Sequence, residues 1–390
     1  MESIFQSANI LLPRFISDAS QAQKWAVIAC DQFTSEPAYW ERAAALVGDA
    51  PSTLRMILPE AFLTSGNEET LAQIAAHMHR YRAEILMEYK DAMVYVRRTV
   101  GDGSVRQGIV GKIDLEAYDY AVCSTSPVRA TEGTVLERIP PRVAVRRAAS
   151  LESPHVMLLV NDPQNTVIEP ISREKKEPLY AFDLMQDGGH VEGYLLSKEQ
   201  QKKVIQALED LFLEQGALLQ YAVGDGNHSL ASAKARYEEL KAEIGEAAKN
   251  HPLRYALCEV VNLHDDALVF EPIYRLVKNI EPDALLRALE VYGKECGAGT
   301  QTVTCLYGST RREVSLGAGT HTLTVGTLQK FLDAYKTEHP EIEIDYIHGM
   351  DSIRKLSAAE HTVGFVFEGM RKEELFSSVE NDGALPRKTF

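Results

Sequence analysis

The sequence lacks the long apolar segments and paired cysteines that mark two large classes of protein. No stretch approaches the roughly 20 apolar residues of a membrane-spanning helix. The start, MESIFQSANILLPRF, has no basic segment followed by a long apolar run, so no secretory signal is predicted. The 5 cysteines form no CxxC pair, which argues against a disulfide framework or a zinc site. We therefore expect a cytoplasmic protein with reduced thiols and no membrane partner.

Positive charge is also scarce. The chain has 41 Lys and Arg against 56 Asp and Glu, for a formal net charge of -15. Such a surface repels phosphate backbones, so general nucleic-acid binding is not expected. One region is an exception: residues 124 to 151 carry five arginines, namely Arg129, Arg138, Arg142, Arg146 and Arg147. This region is either a solvated loop with an edge strand or an anion-binding segment.

The order of predicted elements indicates a mixed α/β or α+β fold. Strand-like runs alternate with helical patterns, but hairpins interrupt the alternation, which favours mixed sheets with flanking helices. Because 390 residues exceed what one core usually serves, we predict three parts: an N-terminal α/β subdomain (1–160), a core (161–280) and a C-terminal α/β subdomain (281–390). A homo-oligomer is compatible with this organisation. Local patterns predict a buried strand over 25–30, a helix over 68–90 and a helix over 198–215.

The most informative segment is LLQYAVGDGNHSLASAKARY, residues 218 to 237. An apolar strand enters a Gly-Asp-Gly-Asn-His turn and leaves as an amphipathic helix. Gly224 and Gly226 allow a tight turn and a close approach to a ligand, and the first amides of the helix have no partner within it. Asp225, Asn227 and His228 add a carboxylate, an amide and an imidazole. The turn is therefore a candidate phosphate-binding site.

A structural interpretation of the same turn stays open. It could be an ordinary strand-to-helix connection in which Asn227 or Ser229 caps the helix. Two common nucleotide-binding motifs are excluded, because no third glycine follows at dinucleotide-binding spacing and no GxxxxGK[ST] occurs.

Several motifs in order resemble the bacterial and archaeal family known as domain of unknown function 1015. They are ACDQFTSEPAYW near residue 29, STLRMILPE near 52, RATEGTVLERIPPR near 129, PHVMLLVNDP near 154, FDLMQDGGHVEGYL near 182, the Gly-Asp-Gly-Asn-His turn, LVFEPIYRLV near 268 and the final LPRKTF. The likeness covers nearly the whole chain. Members usually continue beyond LPRKTF, so an edge element is expected to be missing here.

The resemblance extends to a nucleotide-binding signature. Many members carry Asp-Gly-His-His-Arg at the turn, which is similar to free serine kinases of the ParB and sulfiredoxin superfamily, where the turn and its helix hold nucleotide phosphates. This resemblance implies a ParB/sulfiredoxin-like core around the turn. Asp225, Gly226 and His228 match the signature, whereas Asn227 replaces a histidine and Ser229 replaces the arginine. Without that arginine, phosphate must be held by backbone amides and His228, or by a cation from the arginine-rich region.

The resemblance implies a small-molecule kinase that uses ATP or ADP with Mg²⁺ and phosphorylates a hydroxylated metabolite, with free L-serine as the first acceptor. The nucleotide would bind at the turn, and Asp225 would be the nearest metal ligand. The residues assigned by role are Asp31, Glu36 and His228 for catalysis, Gly224, Asp225, Gly226, Asn227, His228 and Ser229 for the nucleotide, and Arg129, Thr131, Glu132 and Arg275 for the acceptor.

Each assignment has a structural alternative. Asp31 could cap a helix, Glu36 could be a surface residue, and Arg129 and Arg275 could be ion-pair partners within the fold. Two other functions also stay open: a nucleotide-binding regulatory protein without turnover, and a ParB-like protein that acts on nucleic acid, which the net charge opposes.

Overall fold

The computed structural model describes residues 3–30, 32–153, 156–173 and 177–389, and of residues 64 and 65 the backbone only. The chain forms two compact units. The first comprises residues 1–120, 125–130 and 134–268, and the second comprises residues 121–124, 131–133 and 269–390. The predicted boundary after residue 160 falls within the first unit, whereas the one after 280 lies near the change of unit after Leu268. The division into three parts stays a prediction.

The first unit is built on a large mixed sheet. The strands of this unit are β1 (Phe5–Gln6), β2 (Ala8–Pro13), β3 (Leu86–Ala92), β4 (Val94–Thr99), β5 (Val105–Asp114), β6 (Tyr118–Asp119), β7 (Val128–Ala130), β8 (Met157–Val160), β9 (Tyr180–Asp183), β10 (His190–Leu195), β11 (Tyr221–Asp225) and β12 (Tyr255–Asn262). Among the described residues, 10 strands join in the order β6, β7, β11, β8, β12, β5, β4, β10, β9, with β1 added on β5, while β2 and β3 pair separately.

The sheet combines both strand directions around the candidate turn. β11 runs parallel to β7 and antiparallel to β8, and β8 in turn runs parallel to β12. The predicted hairpin is present, because β4 and β5 pair antiparallel on either side of residues 100–104. Mixed pairing with flanking helices confirms the predicted mixed α/β class.

The helices of the first unit are α1 (Ala19–Trp25), α2 (Pro37–Val47), α3 (Glu68–Glu84), α4 (Ile139–Ala148), α5 (Glu169–Ser172), α6 (Lys198–Gln215) and α7 (Asn227–Ile244). The predicted helix over 198–215 is confirmed as α6, which begins with a capping box between Ser197 and Gln200. α4 and α7 pack together through an apolar cluster of Ile139, Val143 and Ala231. The tail of α7 is polar, so the buried residues lie mainly toward its start.

Two local predictions are wrong. Residues 25–30 do not form a strand, because Trp25 ends α1 and the following backbone bonds to side chains: Thr53 donates to the Trp25 carbonyl at 2.7 Å and accepts from the amide of Val27 at 3.3 Å. The predicted helix over 68–90 ends at Glu84, since Leu86 begins a strand that pairs with β2. In both places pairing with distant residues overrides the local pattern.

The second unit contains a five-stranded antiparallel sheet in the order β15, β14, β17, β13, β16. Its strands are β13 (Ile273–Lys278), β14 (Gln301–Tyr307), β15 (Thr310–Gly317), β16 (Glu343–His348) and β17 (Thr362–Val366). Its helices are α8 (Pro282–Glu295), α9 (Thr324–Glu338), α10 (Met350–Leu356) and α11 (Glu374–Asp382). None of the helices in the described parts of the chain combines the length and apolar character that crossing a bilayer demands.

Candidate functional site

The candidate site lies where β11 leaves the sheet and α7 begins. Pairing of β11 with β8 is interrupted between Val223 and Asp225, which places Gly224 at the irregularity. A Cβ on Gly224 would approach the Leu159 side chain to 2.8 Å, so a larger residue would not fit without displacing that leucine. Gly226 has a left-handed φ of 83°, and its amide donates to the Asp225 carboxylate at 2.8 Å. Both glycines are therefore required by local geometry.

The start of α7 presents backbone donors. Gly226 is the N-cap residue, and as a glycine it has no side chain that could accept from the amides of the first turn. α7 is 18 residues long, so the positive end of its dipole adds to the donors at this position. The side-chain Oδ1 of Asn227 is buried and has no hydrogen-bond partner among the described residues. The amides and the dipole, which are donors and positive charge, suit an anionic ligand.

A backbone contact holds His228 in a defined orientation. Its Nε2 accepts a hydrogen bond from the amide of Val135 at 3.2 Å. When Nε2 accepts, the proton of the neutral ring lies on Nδ1. A side chain also stabilises α7 at this residue: the Ser232 hydroxyl donates to the His228 carbonyl at 2.6 Å. In this tautomer Nε2 is an acceptor, so only Nδ1 of His228 carries a hydrogen that can be donated.

Arg146 brings a guanidinium to the first turn of α7. Its Nη2 donates to the hydroxyl of Ser229 at 3.2 Å and to the Ser229 carbonyl at 3.3 Å. Its Nη1 pairs with Glu152, whose other oxygen accepts from the amide of Leu257 at 3.0 Å. Ser229 and Glu152 thereby hold the Arg146 guanidinium from two sides. Ser229 occupies the position that is arginine in the Asp-Gly-His-His-Arg signature.

Three arginines spaced four residues apart form what we call the arginine row: Arg138, which precedes α4, and Arg142 and Arg146, which lie within it. Arg142 lies 2.7 Å and Arg138 4.0 Å from the carboxylate of Glu60. With Glu152, the ion pairs among the described residues set two carboxylates against three guanidiniums, one positive charge in excess. The amide of Glu60 donates to the Cys30 carbonyl at 2.7 Å. Cys30 is therefore linked to the arginine row through Glu60.

The other predicted site residues of the first unit are spread over different elements. Asp31 lies outside the described residues. Glu36 is exposed at the start of α2 and, within the described residues, makes no hydrogen bond or ion pair with the turn at residues 224–229. Arg129 is buried in β7, next to β11, and its Nε donates to the Ser126 carbonyl at 2.8 Å.

Arg275 belongs to the second unit and is completely buried there. Its Nε donates to Gln329 at 2.7 Å, and its terminal nitrogens donate to the carbonyls of Ile273, Arg387 and Lys388. Burial lowers the pKa of the guanidinium to about 10, so it is still charged at neutral pH. With its donors used in this way, Arg275 does not fit the predicted role of binding an acceptor carboxylate.

Thr131 and Glu132 lie in the same unit and contact the C-terminal segment. The Thr131 carbonyl accepts from the amide of Leu385 at 2.7 Å, and Glu132 accepts from the amide of Lys388 at 3.1 Å. Burial raises the pKa of the Glu132 carboxyl, whereas the amides of Lys388 and Thr389 lower it. These contacts give both residues a structural function, which the sequence did not predict.

Among the residues that the structure describes, no group of three or more His, Cys, Asp or Glu side chains is arranged to hold a metal ion. Asp225, two residues before the start of α7, stays the predicted metal ligand. A metal with only one or two protein ligands is typical of Mg²⁺, which keeps waters and binds substrate phosphates.

The helix α4 was not predicted from the sequence. Residues 124–151 were expected to be either a solvated loop with an edge strand or an anion-binding segment, whereas residues 139–148 form a helix with proline in its first turn. Two features of the sequence indicate this helix. Proline is favoured at the start of a helix, and the four-residue spacing of the arginines places them on one helix face. No local sequence feature indicated that Glu60 pairs with Arg142 or that the Val135 amide donates to His228.

Solved structures of three proteins are similar to this chain at low identity. A free serine kinase in complex with AMP is 13% identical over 72% of this chain and 85% of its own, with a TM-score of 0.38. A conserved hypothetical protein from Pyrococcus furiosus is 14% identical over 72% and 88%, with a TM-score of 0.34. SbnI with a C-terminal truncation, from Staphylococcus aureus, is 12% identical over 72% and 80%, with a TM-score of 0.35.

No curated protein matches the chain. The sequence pattern of one family, described as "Protein of unknown function (DUF1015)", matches residues 12–377. The match spans both units and includes the turn, α7 and the arginine row. The chain therefore belongs to the DUF1015 family, as its motifs predicted.

Proposed function

We propose that this protein is a small-molecule phosphotransferase that binds ATP or ADP at the start of α7 and phosphorylates a hydroxylated metabolite, with free L-serine as the first acceptor to test. One observation carries the proposal: a glycine turn presents the first amides of α7, and Arg146 places a guanidinium at Ser229 in the same turn. Phosphoryl transfer depends mostly on positioning and charge neutralisation, and this arrangement supplies both.

The terminal phosphate would bind to the amides at the start of α7. Asn227 fits this ligand, because the buried end of its amide group lacks a partner among the described residues. A half rotation of the amide exchanges oxygen and nitrogen, and the buried end then offers a donor to a phosphate oxygen. His228 would donate a second hydrogen bond through Nδ1, since Val135 holds Nε2.

Arg146 would supply the cation that Ser229 does not. Its hydrogen bond to the Ser229 hydroxyl is part of a network that a phosphate oxygen could enter. A guanidinium in contact with phosphate forms charge-assisted hydrogen bonds, which are stronger than neutral ones. Asp225 fits a Mg²⁺ ion bound together with the phosphates, and when bound this ion neutralises charge on the transferring group.

Asp31 is the proposed general base. It follows Cys30, whose carbonyl is held by the amide of Glu60, and Glu60 pairs with the arginine row on the helix that packs against α7. The base would accept the proton of the acceptor hydroxyl as the new oxygen–phosphorus bond forms and the bond to the leaving nucleotide breaks. Arg129, on the strand beside β11, stays the proposed partner of an acceptor carboxylate.

The proposal is tested by incubating the protein and Mg²⁺ with ATP or ADP and one acceptor at a time: L-serine, L-threonine, homoserine or glycerol. Phosphorus NMR detects a phosphomonoester product, and calorimetry measures nucleotide binding. We expect nucleotide binding and a product with at least one acceptor. The absence of both would exclude the proposal.

A second function, nucleotide binding without turnover, is favoured by the position of Glu36. This residue lines a groove at α2 and makes no bond to the turn within the described residues. A regulatory protein needs the phosphate-binding turn but no base. Nucleotide binding without product from any acceptor, and without hydrolysis, would support this function instead.

A further inference from the structure

A groove in the first unit, which we call the α2 groove, has a size and lining suited to a small molecule. It lies between α2 and the turn that joins β9 to β10, and its volume is about 690 Å³. Its lining includes Phe33, Glu36, Tyr39, Arg42, Gln186 and Asp187, with Ala45 and Leu46 as further apolar residues. Ligand pockets typically measure about 300 to 1,000 Å³.

Two aromatic rings form the apolar wall of the α2 groove. Phe33 stacks on Tyr39 with ring centroids 3.8 Å apart and planes inclined by 9°. Tyr39 covers one face of the Phe33 ring, and Phe33 is nevertheless 38% exposed. The exposed part of the Phe33 ring is apolar surface against which a third ring can pack.

The backbone of the α2 groove is held in unusual conformations. Phe33, Gln186 and Asp187 have left-handed φ angles of 50°, 54° and 56°, and the described residues include only eight such positions outside glycine. This conformation disfavours L side chains, and for a bulky aromatic residue it is exceptional. Such strain persists where surrounding contacts enforce it, often at ligand sites.

Hydrogen bonds keep the two sides of the α2 groove together. Gln186 donates to the Tyr39 carbonyl at 3.2 Å and accepts from Arg42 Nε at 3.0 Å. The opposing walls are thus joined without a ligand. Glu36 and Asp187 are exposed on these walls and provide carboxylate acceptors next to the ring surface.

We propose that the α2 groove binds a planar heterocycle with an exocyclic amino group, whose ring stacks on Phe33 and whose amino hydrogens are accepted by Glu36 or Asp187. The stacked pair selects a flat ring and the carboxylates select hydrogen-bond donors. This inference does not depend on the proposed function, because it requires neither a phosphate nor a reaction.

A tryptophan next to the groove reports binding. Trp40 meets Tyr39 edge to face at 5.5 Å, and the chain has only 2 tryptophans. In a Trp25→Phe background, emission therefore comes from Trp40 alone. We expect adenosine and cytidine, which carry amino groups, to change this emission saturably. Inosine and uridine, which lack them, should bind about tenfold more weakly or not at all.

Two variants separate binding from folding. Phe33→Gly removes the ring and relieves the left-handed strain, so it should preserve stability and weaken adenosine binding at least about tenfold. Asp187→Asn removes a carboxylate, while asparagine tolerates the same backbone conformation. The matched controls are His361→Gly and Asp91→Asn, which also replace left-handed residues but lie outside the groove.

The inference is overturned if neither adenosine nor cytidine changes Trp40 emission, or if Phe33→Gly binds them as tightly as the parent. Equal binding of adenosine and inosine would overturn the role of the carboxylates. Because nucleosides have no phosphate, these outcomes leave the test of phosphate binding at α7 unaffected.

Discussion

The guanidinium of Arg146 on α4 lies 3.2 Å from the hydroxyl oxygen of Ser229 on α7. These residues are 83 positions apart in the chain, and they meet because an apolar cluster packs the two helices together. Ser229 stands where the signature that the turn resembles has arginine. A guanidinium is thus present at the turn, but it comes from Arg146 on α4.

The first prediction concerns this pair. Arg146→Gln should weaken ATP or ADP binding about tenfold or more, because a hydrogen bond between charged groups contributes about 1.5 to 3 kcal/mol. Adding Ser229→Arg to that variant should recover most of the affinity. Calorimetric titration measures both effects.

Arg147→Gln is the matched control, since the neighbouring Arg147 pairs with Glu239 on the surface. It should bind nucleotide like the parent. If Arg147→Gln and Arg146→Gln weaken nucleotide binding equally, the loss reflects the reduced positive charge of the protein, and Arg146 does not contact the phosphate.

The second prediction concerns the turn. His228→Ala and Asp225→Asn should each lower activity or nucleotide affinity far more than stability, because both side chains are only partly buried. Nucleotide titration and denaturant unfolding should be performed on the same samples. His79→Ala, at an exposed position on α3, is the control. A loss of stability that accounts for the whole loss of affinity would identify the turn as purely architectural.

The third prediction concerns pH and Glu169. Burial raises the pKa of this carboxyl, and the charges of Asp162 and Asp265 raise it further, although a hydrogen bond from Asn262 lowers it. In the pH range between the ordinary and the raised pKa, the folded protein keeps a proton that the unfolded chain has released. The free energy of unfolding therefore falls as pH rises through this range.

Glu169→Gln cannot titrate, so it should lose this part of the pH dependence and be at least as stable as the parent at pH 8. Urea unfolding at pH 5 and pH 8 measures the difference. Glu214→Gln, an exposed replacement on α6, should behave like the parent. An unchanged pH dependence in Glu169→Gln would contradict the prediction.

The fourth prediction concerns Arg275. It holds the carbonyls of Arg387 and Lys388, so Arg275→Met should release the C-terminal segment. Trypsin should then cleave after Arg387 or Lys388 faster than in the parent, as mass spectrometry can show. Each buried carbonyl left without a donor costs about 1 to 3 kcal/mol. The exposed Arg287→Met is the control, and equal cleavage of both variants would refute the role of Arg275.

Local signals in the sequence were sufficient for much of the fold. The spacing of apolar residues and the capping residues predicted α6, and the glycines with alternating residues predicted the hairpin of β4 and β5. The same kind of signal failed at residues 25–30, where an apolar run bonds to the side chain of Thr53 and does not pair as a strand. A hydrophobic pattern indicates that a segment is buried, but it does not indicate which other segment it packs or pairs with.

By itself, the sequence determined the family, the mixed α/β class and the β11 turn with its helix, because glycine conformation and helix ends are properties of adjacent residues. Only the tertiary structure decided that Arg146 meets Ser229, that Val135 holds His228, and that Arg275 is buried beneath the C-terminal segment. Each of these contacts joins residues from separate elements. Their formation depends on how helices and strands pack, which no local pattern encodes.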